Sequence, residues 1–276
     1  MIYTDLFSPS KLSSLLSANH IYPKKSLGQN FLIDKNNVEK IISSAHLDKN
    51  DTVLEVGAGL GALTYSLGER AGHVVAYEID SRLIPILKEL VKEFRTMEVR
   101  NEDILKFQIS NFKYQIFDYK LIGNLPYYIT SRILRYFLSA EHKPKRVVVT
   151  IQKEIAERIC AKPPNMSLLS ASIQLHGEPK IVARISKNCF FPRPNVDSAV
   201  LAFDVRELKN FDEDSFFTAI KAGFAHKRKL LIRNLERGLS LSKEHLNNVF
   251  SAAGIAKNAR AEQLGVEEWI KLTQNF

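Results

Sequence analysis

The sequence predicts an α/β fold, with a doubly wound and mainly parallel sheet covered on both faces and a small unit of helices following it. Three observations carry that expectation. Apolar strand-like runs alternate with helical patterns up to about residue 205, and such a β-α-β-α rhythm implies parallel strands joined by crossover helices. The glycine-rich stretch Gly57-Ala58-Gly59-Leu60-Gly61 links the first of these runs to its helix, as needed for a tight turn and close backbone approach to a ligand. From about Glu207 the strand-like runs stop and helical periodicity continues alone. The expected division is therefore 1–206 and 207–276.

Taken in order, Thr52 to Val56 is the first strand and Ala62 to Arg70 its helix, followed by a strand over His73 to Tyr77. A helix over Ser81 to Phe94 is interrupted early by Pro85, Val99 marks a short strand, and Tyr119 to Ile122 and Arg146 to Ile151 are two more. Helical segments are expected at Thr130 to Leu138 and Lys153 to Ile159, and the nearby runs Lys180 to Ile185 and Ser198 to Val205 suit a hairpin-like sheet edge. The helical tail comprises Ser215 to Gly223, Lys227 to Gly238, Lys243 to Ala252 and Val266 to Gln274. Asp212-Glu213-Asp214 suits a helix start, because negative charge is favourable at a helix N-terminus. Pro23-Lys24-Lys25 reads as the end of an N-terminal arm.

Length and composition narrow the function classes. With 276 residues and 45% hydrophobic content, the chain can bury one substantial core and a smaller second one. Thirty-nine Lys and Arg against thirty Asp and Glu leave a formal charge of +9, which favours a polyanionic partner; charge alone leaves nucleic acid and anionic membrane open. Met1 to His20 is polar and Ser-rich without a signal-peptide core, and no run approaches the about 18 apolar residues of a membrane span, so a soluble cytoplasmic protein is expected. Cys160 and Cys189 stand alone, without metal-ligand spacing. They read as buried thiols of a reducing compartment, with no metal and no disulfide.

The chemistry concentrates at Asn124-Leu125-Pro126-Tyr127, directly after the run Tyr119 to Ile122. That is the carboxyl end of a strand, where open α/β sheets place ligands. An exocyclic amine of a flat heteroaromatic ring can donate to the Asn124 side-chain oxygen and a neighbouring carbonyl while the ring stacks on Tyr127. Asn-x-Pro also makes an ordinary turn, so context has to choose.

The context includes a nucleoside-bearing cofactor. Glu78 lies twenty-one residues after Gly57 at the end of the second strand, where an acid accepts from ribose hydroxyls. Gly57 to Ala62 also satisfies G-x-G-x-x-A, which keeps a dinucleotide and a nicotinamide dehydrogenase open. Glu55 favours a cationic amino-acid end and sulfonium over a pyrophosphate. Asp103, after the third strand, can accept from an adenine amine, cap the turn that follows, or do both.

Further motifs recur in order. Lys25-Ser26-Leu27-Gly28-Gln29-Asn30-Phe31-Leu32-Ile33-Asp34 matches K-x-x-G-Q-N-F-L-x-D, Asn124 heads N-L-P-Y, Ile151 to Arg158 matches Q-K-E-x-A-x-R, and Phe190 to Val200 matches F-x-P-x-P-x-V-D-S-A-V. From Lys24 to about Gly238 the chain resembles the bacterial small-subunit ribosomal RNA adenine dimethyltransferases. That family includes the kasugamycin-sensitivity methyltransferase and, more distantly, the erythromycin-resistance large-subunit methyltransferases. The resemblance implies a Rossmann-like methyltransferase sheet and S-adenosylmethionine as cofactor. It implies that Gln29, Asn30 and Leu32 enclose the cofactor with Glu55, Gly57, Gly59, Gly61, Glu78, Asp103 and Asn124, and that Phe190 is a second aromatic beside the target base. The family's Y-G-x-L-S loop is absent, since Leu168-Leu169-Ser170-Ala171-Ser172 stands in its place.

For chemistry, hydrogen bonds from an adenine amine to the Asn124 oxygen and the Leu125 carbonyl localise the nitrogen lone pair, with Pro126 shaping the turn. Orientation and electrostatic stabilisation then supply the rate without a strong base. For RNA binding, Lys229, Arg233 and Arg237 recur every four residues, opposite Leu231, Leu235 and Leu239. Charged stripes usually mark solvated faces, but few acids interrupt this one. Lys227 and Arg228, the group Lys143, Lys145 and Arg146, and the arm's Lys24 and Lys25 extend the expected phosphate surface. The resulting expectation is a monomeric enzyme dimethylating two adjacent adenosines near the 3′ end of small-subunit rRNA within a pre-ribosomal particle. Large-subunit rRNA as substrate and a non-catalytic assembly factor are the alternatives.

Overall fold

The structure is a computed structural model describing residues 3–106, 118–209 and 211–276. The chain divides into two compact units, Met1–Ala156 with Lys180–Val205, and Glu157–Pro179 with Arg206–Phe276.

The first unit contains β1 (Phe31–Leu32), β2 (Thr52–Val56), β3 (His73–Tyr77), β4 (Met97–Arg100), β5 (Lys120–Asn124), β6 (Arg146–Gln152), β7 (Lys180–Ile185), β8 (Phe190–Phe191) and β9 (Ser198–Asp204). Seven of them form a sheet of order β4-β3-β2-β5-β6-β9-β7. The pairs from β4 through β6 are parallel, and β9 runs antiparallel to both β6 and β7. The apolar, β-branched runs Val74-Val75 and Val147-Val148-Val149 are fully buried strands, as expected for a sheet covered on both faces.

Helices α1 (Pro9–Ala18), α2 (Lys35–Ser44), α3 (Ala62–Arg70), α4 (Ile84–Val91) and α5 (Thr130–Leu138) belong to this unit. One core cluster joins Val38 and Ile41 of α2 and Leu63 and Leu67 of α3 to Val53, Val74, Ile122 and Val148 of the strands. A second joins Leu12 and Leu16 of α1 to Leu87 and Leu90 of α4. Burying each such side chain stabilises by about 1.5–3 kcal/mol.

Because the chain runs from β2 outward to β4 and then returns to β5, the strand order reverses between β2 and β5. That reversal is the point at which doubly wound sheets bind ligands. Gly123 permits the close pairing there, since a Cβ on it would lie 2.3 Å from the Val56 carbonyl oxygen.

Helix α6 (Lys153–Ile159) carries the chain into the second unit, which holds α7 (Leu168–Gln174), α8 (Glu213–Gly223), α9 (Leu231–Leu239), α10 (Lys243–Ala252) and α11 (Val266–Thr273). The expected start signal for α8 is present, as Asp212 accepts from the Ser215 N–H at 2.9 Å. Phe216, Leu235, Phe250 and Trp269 centre its core, joined by Met166, Ala171 and Leu175. Those last three explain why residues 157–179 group with the helices and not with the sheet as the 206/207 division implies. The stretch Leu168 to Ser172, expected as a divergent loop, is a helix. Ser167 and Ser170 close a reciprocal capping box at its start.

Three further elements went unread in the sequence: α1 within the Ser-rich N-terminus, α2 with its Asp34 cap, and the two-residue ladder β1–β8. The basic helix also starts later than expected. Lys227, Arg228 and Lys229 precede α9, because Asn234 donates to the Gly223 and His226 carbonyls at 2.6 and 3.1 Å and holds the intervening loop off the helix.

Candidate active site

Four loops at the carboxyl ends of the parallel strands and the arm before β1 enclose one cleft, open to solvent.

The β2–α3 loop supplies the floor. Gly57 has φ +76°, and a Cβ there would meet the Asn124 carbonyl oxygen at 3.2 Å, so both the backbone conformation and the contact require glycine. Gly61 is the N-cap of α3. The Gly59 N–H donates to Glu78 Oε2 at 2.8 Å, and the Asp80 N–H donates to Oε1 at 2.8 Å. Burial pushes the Glu78 carboxyl above its ordinary range, and these two N–H groups draw it part of the way back.

Asp80, two residues on, was not anticipated. Arg82 grips it through both carboxylate oxygens, at 2.9 and 2.6 Å, and Gln29 donates to it at 2.8 Å. The Arg82 guanidinium first, and then Gln29, hold the Asp80 carboxyl down to about 2. Gln29 also accepts from the Lys24 N–H at 2.7 Å. Its amide therefore ties the arm to the β3 loop while the residue lines the cleft.

Asp103 also lines the cleft, and it accepts from the Leu105 N–H at 3.0 Å, so the capping role is present. Asn101, likewise unanticipated, donates to the Glu78 and Ile79 carbonyls at 2.9 and 3.2 Å and joins the ends of β3 and β4.

Asn124 ends β5, with its Nδ2 donating to the Asn30 carbonyl at 2.9 Å. The N–H side of the amide is thus fixed toward the arm, which leaves the side-chain oxygen as the acceptor for an amine in the cleft. The Leu125 N–H is tied to the Thr150 carbonyl at 3.0 Å. Pro126 and Tyr127 line the cleft, and Tyr127 Oη bonds Ser198 Oγ at 2.7 Å.

Phe190 does not reach the cleft. It is 2% exposed, pairs with Leu32 across the β1–β8 ladder, and packs in the core with Val38 and Ile41. The cleft's further exposed aromatic is Tyr128, at 61% exposure. The doubled Tyr127-Tyr128 was its sequence signal. Leu32 is also a core residue, and it borders a second recess, not the main cleft.

That second recess adjoins the glycine loop and contains Glu55, which is 1% exposed. No donor meets either of its oxygens at hydrogen-bonding geometry. Burial pushes its carboxyl up to about 8, the nearby Thr64 hydroxyl only partly offsets this, and Glu78 adds to it. A buried, unpartnered carboxyl beside a glycine cradle fits a ligand with a cationic amine end. Glu78 and Asp103 fit the hydroxyls and ring amine of an adenosine. These residues suit S-adenosylmethionine, and among the described residues no His, Cys, Asp and Glu cluster could hold a metal.

The cations divide. Lys24, Lys25, Lys227, Arg228, Lys229, Arg233 and Arg237 are exposed, Lys227 while pairing with Glu262 at 3.7 Å. Lys143 is half-buried, Lys145 pairs with Asp118 at 2.8 Å, and Arg146 pairs with Asp204 and donates to the Ser44 carbonyl. Arg146 anchors the amino end of the interior strand β6 and does not present a free charge. No helix among the described residues is long and apolar enough to cross a membrane.

A family model described as ribosomal RNA adenine dimethylase matches residues 22–276. A ribosomal RNA small subunit methyltransferase A of Dehalococcoides mccartyi is 43% identical over 256 residues, covering 92% of this chain and 88% of the relative. One from Clostridioides difficile is 41% identical, covering 90% and 89%. Among solved structures, the 23S rRNA methyltransferase ErmE gives a TM-score of 0.73 at 26% identity, covering 89% of this chain and 99% of that one. A dimethyladenosine transferase from Plasmodium falciparum gives 0.72 at 26% identity, covering 87% and 94%.

Proposed function

Because the chain belongs to the ribosomal RNA adenine dimethylase family, we propose that it methylates the exocyclic N6 amines of two adjacent adenosines near the 3′ end of small-subunit rRNA. S-adenosylmethionine is the methyl donor, and when bound it supplies an electrophilic methyl group. The chain's own residues do the remaining work. Tyr127 and the exposed Tyr128 offer ring faces to an unstacked base; stacking contributes about 1–3 kcal/mol per base, close to what unstacking costs. The Asn124 oxygen and the Leu125 carbonyl accept from the amine and localise its lone pair, and the same acceptors stabilise the nitrogen as it becomes cationic. The amine proton leaves to water, since the nitrogen becomes cationic on methylation and sheds it without a strong base.

The observation that carries this reading is the Asn124 amide, locked by its 2.9 Å bond to the Asn30 carbonyl so that an acceptor faces the cleft. The small-subunit substrate rests on relatives of 37–43% identity that carry that description, whereas the likeness to ErmE is at 26%. The protein works as a monomer on a pre-ribosomal small subunit in the cytoplasm, and its exposed cations Lys24, Lys25, Lys227, Arg228, Lys229, Arg233 and Arg237 meet the RNA backbone. Catalysis belongs to the sheet unit, and RNA binding draws mainly on the helical one, which carries Lys227, Arg228, Lys229, Arg233 and Arg237, with Lys24 and Lys25 of the arm added from the sheet unit. The test is incubation with methyl-labelled cofactor and either unmethylated small subunits or naked large-subunit rRNA, followed by mapping of labelled nucleotides. Label on two adjacent small-subunit adenosines is expected, and label on large-subunit RNA alone overturns the reading.

A further inference from the structure

The family match begins at residue 22, yet residues 3–18 are built into the first unit. Leu6, Leu12 and Leu16 are 1–3% exposed and pack with Phe31, Leu87 and Leu90. Tyr3 stacks on Tyr65 with ring centroids 4.3 Å apart, and its hydroxyl bonds the Ala62 carbonyl at 3.0 Å and Ser66 Oγ at 2.6 Å, both on α3. Leu6 and Leu12 also line the recess that contains Glu55, Gly57 and Asn124. The segment therefore contributes apolar surface to the place where the buried, unpartnered Glu55 carboxyl lies.

We propose that Leu6 and Leu12 are specificity-determining positioning residues: they form the dry wall of the subsite for the cofactor's amino-acid end and make recognition of its cationic amine by Glu55 strong. This rests on the S-adenosylmethionine reading. Glu55, protonated in the ligand-free protein, releases its proton as the cationic amine binds beside it, and the resulting ion pair gains strength as water is excluded from it. Opening the wall hydrates Glu55, so the carboxyl becomes content with solvent and discriminates less between ligands with and without an amine. The adenosine end, held by the β3 and β4 loops, is untouched by the change.

The experiment uses the full chain and two ligands, S-adenosylhomocysteine and 5′-methylthioadenosine, which share the adenosine but differ in the amino-acid end. Affinities are measured by calorimetry for Leu12→Ala, for Leu6→Ala as an independent opening of the same wall, and for Glu55→Gln. All three variants are expected to weaken S-adenosylhomocysteine about tenfold and to leave 5′-methylthioadenosine within about twofold, as for loss of a hydrogen bond to a charged group. If Glu55→Gln narrows the gap between the ligands and neither leucine variant does, the wall proposal is overturned and the cofactor reading stands. If a leucine variant weakens both ligands equally, its effect is general loosening, and that too overturns the proposal. If Glu55→Gln leaves the gap intact, the amine-binding reading itself fails.

Discussion

Asn124 and Asn30 lie 94 positions apart in sequence, and the side chain of the first donates to the backbone carbonyl of the second at 2.9 Å. The bond orients the side-chain amide oxygen of the N-L-P-Y turn and couples it to the arm that lines the cleft. Asn124→Ala is expected to retain most cofactor affinity while turnover falls about 10²- to 10³-fold, the scale of losing one preorganised group at the reacting centre. Unchanged turnover removes Asn124 from the chemistry.

Glu55 gives a pH dependence of stability. Its folded-state carboxyl is raised from 4.5 to about 8 by burial, so between those values the folded state holds a proton that the unfolded chain has lost. Stability of the ligand-free protein therefore falls as pH rises through that window. Glu78 is shifted in the same direction, while Asp80, held to about 2 from 3.8, acts only at lower pH. Melting curves near pH 5 and near pH 8 are expected to show a smaller decline for Glu55→Gln than for the wild type. Equal declines would place the proton elsewhere.

Much of this was legible in the sequence, for physical reasons. The buried parallel strands announce themselves as apolar runs, and Gly57, Glu78, Asp103 and Asn124 fall at strand ends where the fold class places ligands. What escaped depends on long-range partners. Phe190 and Leu32 look like any apolar residues until β1 and β8 pair across the chain. Residues 157–179 carry no signal that Met166 and Leu175 join the helical core. Lys229 fits the helical spacing of Arg233, but the Asn234 side chain holds it in the preceding loop.

Asp80 is expected to govern the arm. It is 4% exposed and joins Gln29 of the arm to Arg82, which also donates to the Tyr22 carbonyl at 3.3 Å. Asp80→Ala leaves Gln29 without this acceptor, so limited proteolysis should cut between Tyr22 and Asn30 faster, with cofactor affinity reduced. A buried hydrogen bond to a charge contributes about 1.5–3 kcal/mol. Proteolysis at the wild-type rate would show that the arm is held by other contacts.

Phe190 and Tyr128 should separate stability from substrate handling. Phe190→Ala empties a core site and is expected to cost about 3–5 kcal/mol in denaturant unfolding. Tyr128→Ala, at an exposed position, should alter stability by about 0.5 kcal/mol or less while raising KM for RNA. The converse pattern would return Phe190 to the base-binding role implied by the resemblance.

The exposed and the engaged cations predict different salt dependences. Arg233 and Arg237 stand exposed on α9, with Leu231 and Leu235 of the same helix buried in the core, so their charges are available to phosphates. Arg146 is tied to Asp204 and to the Ser44 carbonyl, and a phosphate would have to displace both partners. Replacing Arg233 and Arg237 with Ala should weaken RNA binding uniformly across sequences and flatten the slope of log affinity against log salt by about 0.7 per lost contact on single-stranded RNA. Arg146→Ala should leave that slope in place and lower thermal stability instead. A slope that responds to Arg146 and not to the α9 pair would move the RNA path to the amino end of β6.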